Sequence, residues 1–588
     1  MRLIPRFRIV RTDRKTPGWL EAFHWTTTGL VFAAFAVVVL VWGYRIELFG
    51  TLRWLMNALN AVVILVTLVD VVLGFASAPA FGAYVRRRWL DLALLLPIAV
   101  AMVTGHSALL LIALRQFLVL TQAFYHSSRF AGVIGEIRRR PIQLLALSFV
   151  LMISLGTVLL TLPAATADGR GAPVIDALFT STSAVCVTGL IVRDTQFYFS
   201  RFGQWIILAL VQLGGLGIMT FSASVIALLG GKLGMYGRQT MGEVVEDSRD
   251  IDIAQSLRYI LLFTLLAEAF GFVVLFFHWL GRAARPFDAL FNALFHSVSA
   301  FCNAGFSVFS TNLAAFRTDV VVNLTVIGLV ILGGLGFSVV HEVFNRRNLR
   351  TWLSRLARRP ALEPAPRLSV HAVLVLRTSA LLLLAGAVFF FFFEYDNALG
   401  QLPLGGKLLA ALFQSVTPRT AGFTTVPVDS LKPITMFIIT ILMFIGASPG
   451  GTGGGIKTST VAVLFLTLRN LVASRSEVEV RNRSIPRDTV YRATAIFIGA
   501  GAILAIVFAV LLVSEQLPFL KLLFEAVSAF GTVGLSTGVT PLLSIPGKLS
   551  IILLMYVGRL GPLTLALAMR GRLSRLPVRY PQARVIVG

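Results

Sequence analysis

The sequence predicts an all-α integral membrane protein. Four tandem units, each a span, a short re-entrant pore helix, a filter-like glycine turn and a second span, stand in pseudo-fourfold arrangement after about four extra transmembrane helices. Three observations predict this. Of 588 residues 56% are hydrophobic and 13% charged, with a mean hydropathy of +0.83, whereas soluble domains average about 25% charged. Apolar runs long enough to cross a bilayer recur along the chain and leave no room for a large soluble domain. A short apolar segment ending in a small-residue turn recurs at Gly189, Gly305, Gly422 and Gly534, with spacings of 116, 117 and 112 residues, and such regularity marks internal repeats.

Residues 1–140 carry the first four spans, at 28–44, 55–76, 89–104 and 108–125. The Arg-rich start runs into a full-length span without a small-residue cleavage site, so it reads as retained rather than cleaved. Charges within these spans are sparse: Asp70, Asp91 and Arg115. The strings YVRRRWLDLALLLPI and LRQFLVL locally resemble the third and fourth helices of voltage-sensor domains. One charge gains only about 2.3 kcal/mol per 100 mV, so a nearly solitary Arg115 fits a degenerate, accessory four-helix domain better than a working sensor.

Eight further spans follow at 142–162, 204–229, 256–280, 319–341, 370–393, 432–470 with an interruption, 491–514 and 548–569. They divide into units at 141–230, 231–345, 346–471 and 472–588, the last with a basic tail. Lys and Arg exceed Asp and Glu, 52 against 27. A basic balance can signal nucleic acid, but here the charges flank spans. Clusters at Arg2–Lys15, Arg86–Arg88, Arg138–Arg140, Lys232–Arg258, Arg346–Arg367, Arg469–Arg492 and Arg570–Arg584 all fall after an even number of spans. The positive-inside rule then puts them and both termini in the cytoplasm, and the four glycine turns on the other side.

Within a unit, the segment before the turn is too short and too polar to cross. PFDALFNALFHSVSAF, for example, stops at Cys302-Asn303-Ala304-Gly305. Irregular backbone at membrane depth survives only where protein buries it or water reaches it. The carboxyl end of a short helix aimed at an axis favours a cation there. Glycine accepts left-handed dihedrals and adds no side chain to the axis. Four such loops facing one axis make a pore lined by carbonyl oxygens, which suits dehydrated alkali cations.

The segments TSAVCVTGLIVRDT, HSVSAFCNAGFSVFS, SVTPRTAGFTTV and EAVSAFGTVGLST, with LVQLGGLGIMTF, ILGGLGFSVV and GASPGGTGGGIKTST, resemble the Trk/Ktr/HKT superfamily of potassium transporters, in particular its bacterial membrane subunits, over about residues 141–570. The resemblance implies a selectivity filter at Val187, Thr188, Gly189, Asn303, Ala304, Gly305, Thr420, Ala421, Gly422, Thr532, Val533 and Gly534. All four key positions are glycine, whereas serine in the first goes with sodium in some plant relatives, so potassium is the expected cargo. It further implies a homodimer in the bacterial plasma membrane, resting on a cytoplasmic nucleotide-binding regulatory ring. Sodium is a candidate activator.

The tenth span is interrupted by Gly446-Ala447-Ser448-Pro449-Gly450-Gly451-Thr452-Gly453-Gly454-Gly455-Ile456-Lys457, where a continuous helix is disfavoured. A phosphate loop needs Lys directly after its last Gly; Ile456 intervenes. A deformable loop beneath a filter suits a gate, as the resemblance also implies, with Gly450, Gly451, Thr452, Gly453, Gly454, Gly455 and Lys457 as its residues. Lys457 reads equally as a loop anchor or a solvated charge. Arg559 lies within the last span, where insertion costs about 2.5–3.5 kcal/mol. It should therefore face water or a partner, and the resemblance puts it beside the gating loop.

Arg419 reads as a brace behind the third turn through hydrogen bonds. Cys186 and Cys302, each three residues before a glycine, read as packing residues, His296 as a satisfied packing histidine, and Glu268 as locally paired. No catalytic constellation, transition-metal site or nucleotide-binding turn is expected in this chain. Two function classes remain: a potassium-conducting gated subunit, and a sodium- or proton-coupled secondary transporter. The second usually needs ionisable residues at the midplane, which these turns almost lack.

Overall fold

The computed structural model describes residues 141–216, 253–344 and 368–562, apart from positions 283, 476, 477 and 482, together with position 69. The first four predicted spans, with Asp70, Asp91 and Arg115, and most of the basic clusters lie outside the described residues.

The regular structure among the described residues is almost wholly helical. In order come α1 Pro141–Leu160, α2 Val174–Val185, α3 Arg201–Gly215, α4 Ile253–Leu280, α5 Pro286–Phe301, α6 Val320–Gly334 and α7 Phe337–Phe344. Then follow α8 Val370–Glu394, α9 Leu404–Val416, α10 Pro433–Phe444, α11 Thr458–Val472, α12 Arg487–Ser514, α13 Phe519–Gly531 and α14 Ile545–Leu560. Among the described residues three helices are long and apolar enough to cross a membrane: Tyr259–Leu280 within α4, α8 and α12. A fourth candidate is the pair α6 and α7, bent by 107° at its break.

Local sequence sets the helix starts. Ser200, Ser369 and Ser544 accept the N–H three residues on, at the heads of α3, α8 and α14. Asp319 accepts from Val321 and Val322 at the head of α6, the expected way to satisfy orphan amides. Proline occupies the first turn of α5, α10 and α14, where its missing N–H costs nothing.

The short helices α2, α5, α9 and α13 each pack on the longer helix before them, α1, α4, α8 and α12. Each short helix buries a phenylalanine, with Phe179, Phe295 and Phe413 in one hydrophobic cluster and Phe524 in a second. Outside, the pattern is inverted. On α4, α8 and α12, Leu265, Phe270, Leu384, Phe392 and Val513 are exposed, whereas Thr264, Glu268, Ser379 and Glu394 are buried. Apolar residues outward and polar ones inward is what a lipid surround selects.

One expectation needs correction. The predicted span at 319–341 is not one helix: it breaks at Leu335-Gly336, with Gly336 at φ 85°. A Cβ there would lie 2.2 Å from the Pro449 carbonyl oxygen, so only glycine permits the turn. The mostly helical fold carries one short addition: Val478–Val480 and Arg483–Ile485 form a two-stranded antiparallel hairpin, β1 and β2, pairing Val478 with Ile485.

Candidate functional site

The four glycine turns meet. A Cβ built on Gly189 would stand 2.3 Å from the Ala304 carbonyl oxygen; on Gly305, 2.8 Å from Gly422 Cα; on Gly422, 2.5 Å from the Val533 carbonyl oxygen; on Gly534, 2.0 Å from the Thr188 carbonyl oxygen. Each turn thus abuts the next and the fourth returns to the first. The structure brings Thr188-Gly189, Ala304-Gly305, Ala421-Gly422 and Val533-Gly534 together in one closed ring, with Val187, Asn303, Thr420 and Thr532 next to them in the chain.

Gly189, Gly305, Gly422 and Gly534 have φ of 89°, 69°, 74° and 90°. Two residues earlier, Val187, Asn303, Thr420 and Thr532 are also left-handed, at 56°, 59°, 68° and 50°. For β-branched residues this is a true outlier, worth about 1–3 kcal/mol of strain each, and such strain persists only where surrounding structure over-determines it. Here hydroxyls one turn back do so. Ser183 Oγ donates to the Leu190 carbonyl at 2.8 Å and accepts from Gly189 N at 3.1 Å. Ser299 Oγ donates to Phe306 O at 2.7 Å, Thr417 Oγ1 to Phe423 O at 2.5 Å, and Ser528 Oγ accepts from Gly534 N at 3.2 Å. Sequence reasoning missed these four. Their signal was a hydroxyl five or six residues before every turn glycine.

Beneath the ring runs the glycine-rich loop between α10 and α11. It folds on itself through Gly446 N to Ile456 O, 2.8 Å, and ties to α6 through Ser448 N to Gly334 O and Thr452 N to Gly333 O, both 3.0 Å. Gly455 N donates to Gly558 O at 3.1 Å, and Gly454 N to Thr532 Oγ1 at 2.9 Å. A Cβ on Gly453 would meet Thr420 Oγ1 at 1.9 Å. The loop therefore touches two of the turns directly, and side chains there would collide with them. Lys457 Nζ donates to Gly453 O at 2.7 Å, as a loop anchor.

Arg559, 5% exposed in the last turn of α14, donates from its two terminal nitrogens to the carbonyls of Thr452 in the loop and Gly214 in α3. Arg419 departs from expectation. Its Nε makes no hydrogen bond among the described residues, and the side chain lines a small, largely apolar cavity with Val330, Leu383 and Ala447. It does not brace the turn by hydrogen bonds, because the apolar wall it faces offers the guanidinium few acceptors. His296 is fully hydrogen-bonded, Cys186 and Cys302 are buried free thiols, and Glu268 accepts from Gln212 Nε2 at 3.2 Å. Among the described residues no His, Cys, Asp and Glu cluster could hold a metal.

At the outer rim Asp176 of α2 accepts from Lys548 Nζ of α14 and from Arg193 Nε, each at 2.8 Å. This ties the helix before the first turn to the helix after the last.

The family model for TrkH, described as a cation transport protein, matches residues 112–575. The chain belongs to that family. It is 39% identical to Ktr system potassium uptake protein B of Vibrio alginolyticus over 448 residues, covering 76% of this chain and 94% of that protein. To the protein of the same name from Bacillus subtilis it is 36% identical, covering 78% and 98%. It is 32% identical to the potassium/sodium uptake protein NtpJ of Enterococcus hirae, covering 77% and 99%. The crystal structure of the potassium transporter TrkH from Vibrio parahaemolyticus superposes with a TM-score of 0.58 at 20% identity, over 82% of this chain and 96% of that one, which shows a shared fold. This TrkH-family chain is thus a multi-pass membrane protein of a transport family.

Proposed function

We propose that the chain is the potassium-conducting membrane subunit of an uptake system, a gated pore with no covalent chemistry. The units 141–230, 231–345, 346–471 and 472–588 surround one pseudo-fourfold axis, after an accessory domain at 1–140. The reading rests on one observation, the closed ring in which each turn glycine abuts the backbone of the next turn. Left-handed residues at alternate positions break the strand-like alternation of carbonyl directions, so carbonyls of Val187-Thr188-Gly189 and its three counterparts can share one side and replace a hydration shell. The loop at 450–457 lies against two turns and is the gate. Arg559 holds it shut through the Thr452 carbonyl, and its charge opposes a cation below the filter.

Relatives named as parts of a Ktr system support a second, regulatory component, which we place as a cytoplasmic nucleotide-binding ring under a homodimer. Both termini are cytoplasmic in this reading, and the membrane is the bacterial plasma membrane. One relative is named for potassium and sodium, which favours sodium as an activating or coupled ion and keeps the coupled-transporter reading as the second.

The deciding experiment is potassium against sodium flux in proteoliposomes, with an imposed gradient and no partner protein. Potassium-selective passive flux supports the pore; flux only with a second ion gradient supports coupled transport. Gly305→Ser should lower the potassium-to-sodium flux ratio roughly tenfold, as for the loss of one good coordinating contact. An unchanged ratio removes Gly305 from the filter.

A further inference from the structure

Each short helix carries a polar residue directly after its buried phenylalanine: Thr180, His296, Gln414 and Glu525. All four are buried behind the ring, but they are bonded differently. His296 Nδ1 lies 2.7 Å from the Asn292 carbonyl, which can only accept, so Nδ1 carries the proton and Nε2 accepts from Ser307 Oγ at 2.9 Å. Glu525 Oε1 accepts from Ser536 Oγ at 2.5 Å and Thr537 N at 2.9 Å, and Oε2 from Thr540 Oγ1 at 2.8 Å. Ser307 and Ser536 both stand two residues past their turn glycine, and both bonds join residues 11 apart. The Thr180 hydroxyl and both amide atoms of Gln414 make no hydrogen bond among the described residues.

Ring order makes the second and fourth turns opposite each other. We propose that His296 and Glu525 are positioning residues that lock the exits of two opposite turns to their short helices, and that this locking sets which alkali cation the ring admits. The inference rests on the pore reading above. All four turns keep their hydroxyl ties, and Asp176 also holds Arg193 beyond the first. The added bonds at the second and fourth exits hold the ring's width more firmly across one diameter than across the other, where Thr180 and Gln414 supply none. A ring free to close in every direction would fit a smaller ion as readily as a larger one. Glu525, with three donors from the exit segment, is the stronger lock.

The test uses the full chain in proteoliposomes, measuring potassium, rubidium and sodium flux at matched protein amounts for Glu525→Ala, Glu525→Gln, Ser536→Ala, Thr180→Ala and Gly305→Ser. Glu525→Ala should reduce the potassium-to-sodium ratio about tenfold, the effect of losing hydrogen bonds to a buried acceptor, with potassium flux changed less. Glu525→Gln keeps one carbonyl acceptor and should restore most of the ratio, and Thr180→Ala should leave it unchanged. If Glu525→Ala does not fold, Ser536→Ala, which leaves the carboxyl two donors, should show a smaller fall. An unchanged ratio in the Glu525 and Ser536 variants, or an equal loss of all three fluxes, overturns the inference while a Gly305→Ser effect leaves the pore reading standing. No shift in any variant, Gly305→Ser included, overturns both.

Discussion

Arg559 illustrates how a single side chain can serve two segments. Its planar fork offers five donors, and its terminal nitrogens reach the carbonyls of Thr452 and Gly214, which are 107 and 345 residues away in sequence. Lysine could not reproduce that geometry. Arg559→Ala should raise basal potassium flux about tenfold, since charge-assisted hydrogen bonds to buried carbonyls contribute on the order of 1.5–3 kcal/mol. Flux without any partner at matched protein density is the readout, and equal or lower flux would remove its barrier role. The residue was legible in the sequence because a charge inside an apolar run demands a reason. Its partners were not, because backbone carbonyls carry no sequence signature. The hydroxyls Ser183, Ser299, Thr417 and Ser528 were passed over for the opposite reason: serine and threonine are ordinary in membrane helices, and only aligned turns reveal their fixed offset.

Among the elements, the junction of α4 and α6 shows how a helix end can be tuned by pH. Asp319 caps α6 and accepts from Arg282 and His278 at 2.7 Å each. Burial alone would raise its carboxyl, but the Arg282, His278 and Val322 hydrogen bonds outweigh that and hold it below the ordinary carboxylate range. A lowered folded-state pKa means its contribution is complete above the ordinary carboxylate value and fades as pH falls through the lowered one. Asp319→Asn keeps a good cap but loses the charge. It should lower Tm in detergent modestly at neutral pH and flatten the acid limb of the Tm profile, whereas Asp319→Ala should cost about 1 kcal/mol more. Identical profiles for Asn and wild type would show that the ion pair contributes nothing. Most helices at this scale were readable from apolar length and capping residues. The break at Leu335-Gly336 was not, since ILGGLGF is apolar on both sides of it and the constraint is the distant Pro449 carbonyl. The hairpin at 478–485 was hidden because the two Arg residues in VEVRNRSI read as topology, not as alternation.

For the molecule as a whole, the ring must close between its first and last turns, and the rim contact of Asp176 with Lys548 does so across 372 residues. The Asp176 side chain is 3% exposed and that of Lys548 13%, against 47% for Arg193. Removing one member of a buried pair strands the other charge, at about 3–5 kcal/mol. Asp176→Ala should therefore lower thermal stability sharply, whereas Lys548→Ala leaves Asp176 with Arg193 and should cost less. Thermal unfolding of both variants in detergent checks the asymmetry; equal losses would assign Arg193 no share. Regular spacing made the four turns legible, but nothing in the sequence states that their backbones abut one another.

That one polypeptide supplies every turn has a genetic consequence. In an assembly of four identical copies, one codon change strikes every quadrant at once, and a tolerable alteration in one place becomes four simultaneous ones. Here each quadrant has its own codons, so drift can be tried on one side while three remain intact. Threonine, histidine, glutamine and glutamate at matched positions behind the ring are the kind of divergence that such independence permits.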